Sequence, residues 1–215
     1  MKNLLFFSSN QNKIIEIKKI FKIRNKKIIS LNDLPKTKIP KETGREFVDN
    51  AKIKSLYGFK KFNIPCFADD SGICISALNN KPGIHSKRFF EKFQNKKELF
   101  KYIIKKVCTS KNTSAYFTTI ICFTVKLGQY IIFEGKILGN ISKTPRGKNG
   151  FGYDPLFIPR GYNKTFAEMS AKEKNSVSHR GLAINKFINF LSNKFLKFYL
   201  LKFEQYLNFF QLHYL

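Results

Sequence analysis

Acidic residues are scarce: 14 Asp and Glu stand against 40 Lys and Arg in 215 residues, a formal charge of +26. Arginine is scarce as well, limited to Arg24, Arg45, Arg88, Arg146, Arg160 and Arg180. The remaining basic residues are lysines, scattered along the chain among Asn, Ile and Phe. A dedicated polyanion groove would gather them. Their spread fits a solvated surface and an AT-rich coding sequence better, because net charge speaks weakly about function. Nucleic-acid binding through the +26 charge stays open as a second class of function. The four cysteines, Cys66, Cys74, Cys108 and Cys122, have no CxxC or Cys/His spacing, which argues against a zinc site. Three of them sit in apolar runs, where a free thiol behaves as a small hydrophobe. No run reaches the roughly 18 apolar residues of a membrane span. The N-terminus MKNLLFFSSNQNK lacks the cleavage pattern of a signal peptide. The expectation is a reduced, cytoplasmic protein without a transmembrane segment. A G-x-x-x-x-G-K-[ST] loop is absent too.

What is present suffices for a substantial core, with 43% hydrophobic residues. NLLFFSS (3–9) reads as a short buried strand. Residues 10–22 place Ile14, Ile15, Ile17, Ile20 and Phe21 at helical spacing behind Asn10, a suitable N-cap. KKIISL (26–31) reads as a strand, and 33–44 as a loop with two prolines. A helix follows Gly44, carried by Phe47, Val48, Ala51, Leu56 and Tyr57. Two strand-like runs, 64–68 and 73–78, flank ADDSG, with a turn at 79–83. Residues 95–108 form a helix, and 113–125 and 129–138 a pair of strands joined through Lys126–Gly128. A glycine-rich loop (146–155), the short run LFIP, a polar segment and a final helix complete the chain. Early alternation of strands and helices with a strand-rich middle predicts an α/β fold with a mixed sheet. No repeat or linker divides it.

Four stretches carry candidate chemistry. In SSNQNK (8–13) a strand ends in small polar residues and enters a helix, exposing N–H groups where anions bind, with Lys13 one turn in. Taken alone, a capped helix with a surface lysine explains it better. Asp69 and Asp70 are adjacent, and on a strand neighbouring side chains point to opposite faces. Only a turn, for which Ser71 and Gly72 are suited, lets both serve one site; one carboxylate then binds a hard cation while the other holds a water or a lysine. A plain Asx turn between strands is an equal alternative. In GFGYDP (150–155) Phe151 stands between glycines beside Tyr153 and Asp154, either as a ring for stacking on a base or as a residue turned into the core. Finally, Lys174, Ser178, His179 and Arg180 precede an apolar helix. Ser178 suits an N-cap, and a basic pair at a helix start opposes the dipole, which implies some other partner.

Taken in order from about Leu4 to Leu191, SSNQNKIIEI, KETGREFVDNAKIKS, ADDSGICISALNNKPGIHSKRF, GKNGFGYDPLFIP and TFAEMSAKEKNSVSHRGLA resemble the inosine triphosphate pyrophosphatase-like family of house-cleaning enzymes. The resemblance implies an elongated mixed sheet flanked by helices, with two lobes and a cleft between them, and a homodimer. It implies Mg²⁺-dependent hydrolysis of ITP, dITP and XTP to the monophosphate and pyrophosphate, or of other modified nucleotides in a related enzyme. It further implies that Ser8, Ser9, Asn10, Gln11, Asn12 and Lys13 cradle the triphosphate, and that Asp70 is the catalytic carboxylate and a metal ligand. Asp69 would support it, Glu42 would be a second metal ligand, and Ser71 would touch substrate. Phe151, Gly152, Tyr153 and Asp154 would frame the base, with Lys174, His179 and Arg180 on phosphate or base edge. Ser9 departs from the family, which has glycine there; its Cβ is expected to loosen the approach of backbone to phosphate. Residues 1–193 are expected to form one domain, with 194–215 an aromatic-rich extension.

Overall fold

The computed structural model describes residues 4–25 and 27–193; the extension 194–215 lies outside the described residues. Strand β1 (Leu5–Phe6) runs into helix α1 (Gln11–Ile23), whose N-cap Asn10 accepts a hydrogen bond from the Lys13 amide. The buried stripe of α1 is Ile14, Ile17, Ile20 and Phe21, whereas Ile15 is 52% exposed. Strand β2 (Ile29–Ser30) follows, then helix α2 (Phe47–Phe62). The buried face of α2 is small and polar: Asn50, Ala51, Lys54, Ser55 and Gly58. Small residues let this helix lie close on the sheet, and a Cβ at Gly58 would meet Cys66 Sγ at 2.6 Å.

Strand β3 (Cys66–Ile75) is one uninterrupted ten-residue strand. No turn breaks it at Ser71–Gly72, contrary to the expectation from sequence. It pairs antiparallel with β5 (Ser114–Lys126) at every position, including Asp69 opposite Ile121, Asp70 opposite Ile120 and Ser71 opposite Thr119. The DDSG break in apolar alternation is therefore a polar belt within a strand. Short β4 (Lys81–Pro82), α3 (Ser86–Glu91) and α4 (Lys96–Ser110) lie between β3 and β5 in sequence. β5 turns through Leu127–Gly128 into β6 (Gln129–Ile141), and β7 (Phe157–Pro159), α5 (Ala171–Val177) and α6 (His179–Ser192) complete the fold. The sheet order is β2-β1-β3-β5-β6-β7, with β4 also on β3. β2, β1 and β3 are parallel and the other pairings antiparallel, so the sheet is mixed.

Two apolar clusters lie along the same face of β3 and β5. One gathers Phe67, Ile121 and Phe123 with α1 and α6; the other gathers Ile73, Ile75, Ala115 and Phe117 with α4 and Phe157. Asp69, Ser71 and Thr119 separate them, which is where the site forms. Helix α6 rests its first turn on β6 at Gly135, where an added Cβ would come within 2.0 Å of the His179 carbonyl oxygen. Gly135→Ala is therefore expected to destabilise the fold by roughly 1–3 kcal/mol through overpacking. A urea midpoint equal to that of the unsubstituted protein would contradict this contact.

Candidate active site

The cleft opens where the sheet has a gap. On the side of β3 away from β5, β1 pairs only with Cys66 and Phe67, and β4 only with Cys74 and Ile75. The edge between them carries no strand among the described residues. The Phe67 carbonyl accepts the Phe7 amide, and the Ile73 amide donates to Ser86 Oγ at 3.0 Å. By strand alternation the main-chain groups of Asp69 and Ser71 face the same open edge. The cleft has a volume of about 820 Å³ and is lined by Asp70, Ser71 and Gly72 at this edge, by the β1–α1 turn and by the 150–154 loop.

The two aspartates point to opposite faces, as an unbroken strand requires. Asp70 lies in the cleft, 5% exposed, and its Oδ2 accepts from Asn50 Nδ2 at 3.1 Å. Asn50 Oδ1 accepts the Gly44 amide at 2.9 Å, so one buried side chain ties the KETG loop to Asp70. Lys54 Nζ pairs with Glu42 at 2.5 Å and lies 3.6 Å from Asp70 Oδ1, an ammonium shared by the two expected metal ligands. Burial pushes the Asp70 carboxyl above its ordinary value, and Lys54 and Lys13 only partly offset it. Burial opposes the charge on Lys54 too, but Asp70, Asp69 and Glu42 more than compensate and raise its pKa.

Asp69 does not line the cleft; at 1% exposure it lies behind cations that do. Its Oδ2 is 3.0 Å from Lys13 Nζ and 3.4 Å from Arg180 Nε. Against the desolvation of full burial, these cations hold its carboxyl at about 2, below the ordinary 3.8. A depressed carboxylate stabilises the fold above its unfolded pKa, and that stabilisation disappears as pH falls through the folded value. The Asp69 contribution, on the order of 2 kcal/mol, is thus lost between pH 4 and pH 2. Urea midpoints measured from pH 5 to pH 2 should fall, and Asp69→Asn should flatten the slope below pH 4; an unchanged slope would count against the ion pairs.

Of the β1–α1 turn, Ser8, Ser9, Asn10, Asn12 and Lys13 line the cleft. Gln11 does not: its side chain points away and exchanges two hydrogen bonds with Asn32. Ser9 is exposed and has no positive φ, so its backbone makes no demand for glycine. Phe151, Gly152, Tyr153, Asp154, Lys174, His179 and Arg180 also line the cleft. Phe151 is half-buried outside the core clusters, with Lys174 Nζ 5.0 Å and the Arg180 guanidinium 5.7 Å from its ring centroid. Tyr153 is turned inward, donating to the Ser86 carbonyl at 2.7 Å. Asp154 Oδ2 accepts the Phe151 amide and Lys174 Nζ, each at 2.8 Å. His179 stacks on Phe117, centroids 4.5 Å apart and 7° from parallel. Burial, with Arg180 and Lys174 nearby, pushes its pKa well below 6.5 and keeps the ring neutral.

The cations at the start of α6 have internal partners rather than a ligand alone. Ser178 caps the helix through the Gly181 amide, and Arg180 pairs with Asp69 and with Glu16 of α1 while donating to Ser71 Oγ at 3.0 Å. Glu16 also lies 3.3 Å from Lys174. Glu16, Asn50, Lys54 and Ser86 are the site residues that sequence reasoning missed. A signal existed for Lys54 and Asn50, both on the buried stripe of an amphipathic helix. For Glu16 it was an acid, rare in this chain, one turn after Lys13.

Fold and site together define an α/β enzyme with a carboxylate-floored, cation-lined cleft at a gap in a mixed sheet. A family model described as the Ham1 family matches residues 4–190. A dITP/XTP pyrophosphatase of Flavobacterium psychrophilum is 38% identical over 190 residues, spanning 88% of this chain and 99% of that protein. Another, of Aquifex aeolicus, is 37% identical over 201 residues, spanning 88% and 96%. Among solved structures, the Staphylococcus aureus Ham1 protein superposes with a TM-score of 0.76 at 34% identity, covering 88% of this chain and 98% of that one. A HAM1 protein from Coxiella burnetii gives 0.77 at 33%, covering 89% and 99%. This chain belongs to the Ham1 family.

Proposed function

We propose that this chain is a nucleoside triphosphate pyrophosphatase that converts ITP, dITP and XTP to the monophosphate and pyrophosphate, removing aberrant purines from the nucleotide pool. The observation that carries this reading is one cleft joining the buried Asp70, with Glu42 across Lys54, to Lys13 at one end and the Phe151 ring at the other. The donor set suits Mg²⁺. Two carboxylates are too few for an all-protein cage, and no group of three or more candidate ligands occurs among the described residues. Mg²⁺ is commonly held by one or two carboxylates, with substrate phosphates and water completing the shell. Asp70 and Glu42 would hold it, and when bound it would neutralise charge on the phosphates and polarise them.

The chain's own groups then have separable tasks. Asp70 orients the attacking water and accepts its proton. Lys13 and Lys54 offset negative charge as water attacks the α-phosphorus and pyrophosphate leaves. Ser8 to Asn10, with Asn12, face the phosphates, while Phe151 and its loop frame the base. Hypoxanthine and xanthine offer an O6 acceptor to Arg180 or a main-chain N–H. Adenine would set its amino donor against those donors, a mismatch that dry sites reject strongly.

We further propose a single domain over residues 1–193, a homodimer and a cytoplasmic location. No helix among the described residues is long and apolar enough to cross a membrane, which is compatible with that location. The test is a pyrophosphate-release panel over ITP, XTP, dITP, ATP and GTP with and without Mg²⁺. Release from the first three, only with Mg²⁺, is expected. No release from any of them would overturn the reading. Salt-sensitive binding of single-stranded nucleic acid without turnover would replace it with the basic-binder alternative.

A further inference from the structure

Six buried or nearly buried charges of alternating sign run in contact along the cleft, with Asp69 and Glu16 set behind its lining. Lys13 Nζ meets Asp69 Oδ2 at 3.0 Å, and the same oxygen takes Arg180 Nε at 3.4 Å. Arg180 pairs with Glu16, Glu16 with Lys174 at 3.3 Å, and Lys174 with Asp154 at 2.8 Å. Lys13 stands at the phosphate end, and Asp154 anchors the Phe151 amide at the base end. We infer that Asp69 is a positioning residue that couples the two ends of the cleft, so that a ligand in one tightens binding in the other.

This rests on the nucleotide reading of the cleft. Asp69 touches neither end of the ligand space itself, because it does not line the cleft. Both of its cations share Oδ2, while Oδ1 is buried without a hydrogen-bond partner. An anion that draws the Lys13 ammonium toward itself leaves Oδ2 more fully to Arg180. The guanidinium, already anchored at Ser71 and Glu16, is then held more firmly in the base end. In a low-dielectric interior such chains polarise cooperatively. Linkage makes the effect reciprocal: base occupancy stiffens Arg180 and frees Lys13 for phosphate.

The experiment separates the two ends chemically. Inosine carries the base without phosphate charge, and pyrophosphate carries the charge without a base. Calorimetric titration of the full chain in Mg²⁺ with each ligand, alone and with the other saturating, gives the linkage ratio. The unsubstituted protein should show each ligand tightening the other by about fivefold or more. In Asp69→Asn the ratio should fall to one while both ligands still bind, an outcome that a purely structural role would not produce. If that variant fails to fold, Asp69→Glu carries the same test: it keeps the charge, but its extra methylene displaces the oxygen that Lys13 and Arg180 share. A ratio of one in the unsubstituted protein, or an unchanged ratio in the variant, overturns the inference alone. Failure of both ligands to bind overturns the nucleotide reading and the inference with it.

Discussion

Asp70→Asn should lose pyrophosphate release by roughly 10²–10⁴-fold, the usual range for removal of a general base, while the protein melts at the same temperature or higher. The two halves of this result have one cause. Asp70 is 5% exposed, and burial raises its pKa despite Lys54 and Lys13. A carboxylate with a raised folded pKa is disfavoured in its ionised form by the fold, so at neutral pH its charge opposes stability. An isosteric amide removes that opposition. It keeps an oxygen for Asn50 Nδ2, and Lys54 retains Glu42. What it cannot do is accept a proton from water. Groups shaped for catalysis are commonly held at some expense of stability. Release rates from ITP and a thermal melt on the same sample check both halves. Near-normal activity would remove Asp70 from the mechanism, and a large drop in melting temperature would mean that its main role is to hold Lys54 and Asn50.

Glu16→Ala should behave in the opposite way and destabilise the fold by about 3–5 kcal/mol, the range for breaking a buried ion pair from one side. Glu16 is 10% exposed in its side chain and serves two cations, Arg180 and Lys174. Burial alone would raise its carboxyl, but these cations more than offset it and hold the pKa below 4.5. Its stabilisation is therefore present above the unfolded value and lost as pH falls through the folded one. Without it, Arg180 keeps Asp69 and Lys174 keeps Asp154, each now one carboxylate short. Glu16→Gln retains the shape and some hydrogen bonding, so a smaller loss is expected. Urea unfolding at pH 7 and pH 4 distinguishes the cases: the difference between Glu16→Ala and the unsubstituted protein should shrink at the lower pH. A loss below 1 kcal/mol at pH 7 would mean that the neighbouring carboxylates suffice.

Local structure was largely legible in the sequence because it depends on short-range chemistry. Asn10 and Ser178 cap the helices they were expected to cap, and the strands on either side of Leu127–Gly128 pair as a hairpin. Cys66, Cys74 and Cys122 are buried in strands as small hydrophobes. Legibility failed where burial and hydrophobicity parted. ADDSG resembled a turn because its alternation is polar, yet it lies inside β3, kept there by full pairing with β5 and by cations on one face and Asn50 on the other. In α1, Ile15 is exposed while Glu16 is nearly buried, the reverse of what apolarity alone suggests. Helix α2 buries a small, polar stripe rather than its larger apolar residues, because it lies close on the sheet and faces the site.

Read alone, the sequence gives away helices α1, α2, α4 and α6, the Asn10 and Ser178 caps, the hairpin, the mixed α/β class and the order of the stretches that meet in the cleft, because these follow from patterns within each segment. Only the tertiary structure decided that Asp69 and Asp70 part to opposite faces, that Gln11 turns away, and that Glu16, Asn50 and Lys54 belong to the site. The reason is electrostatic. A charge or amide enters a protein interior only where a partner waits, and here the partners come from residues 6 to 164 positions away along the chain.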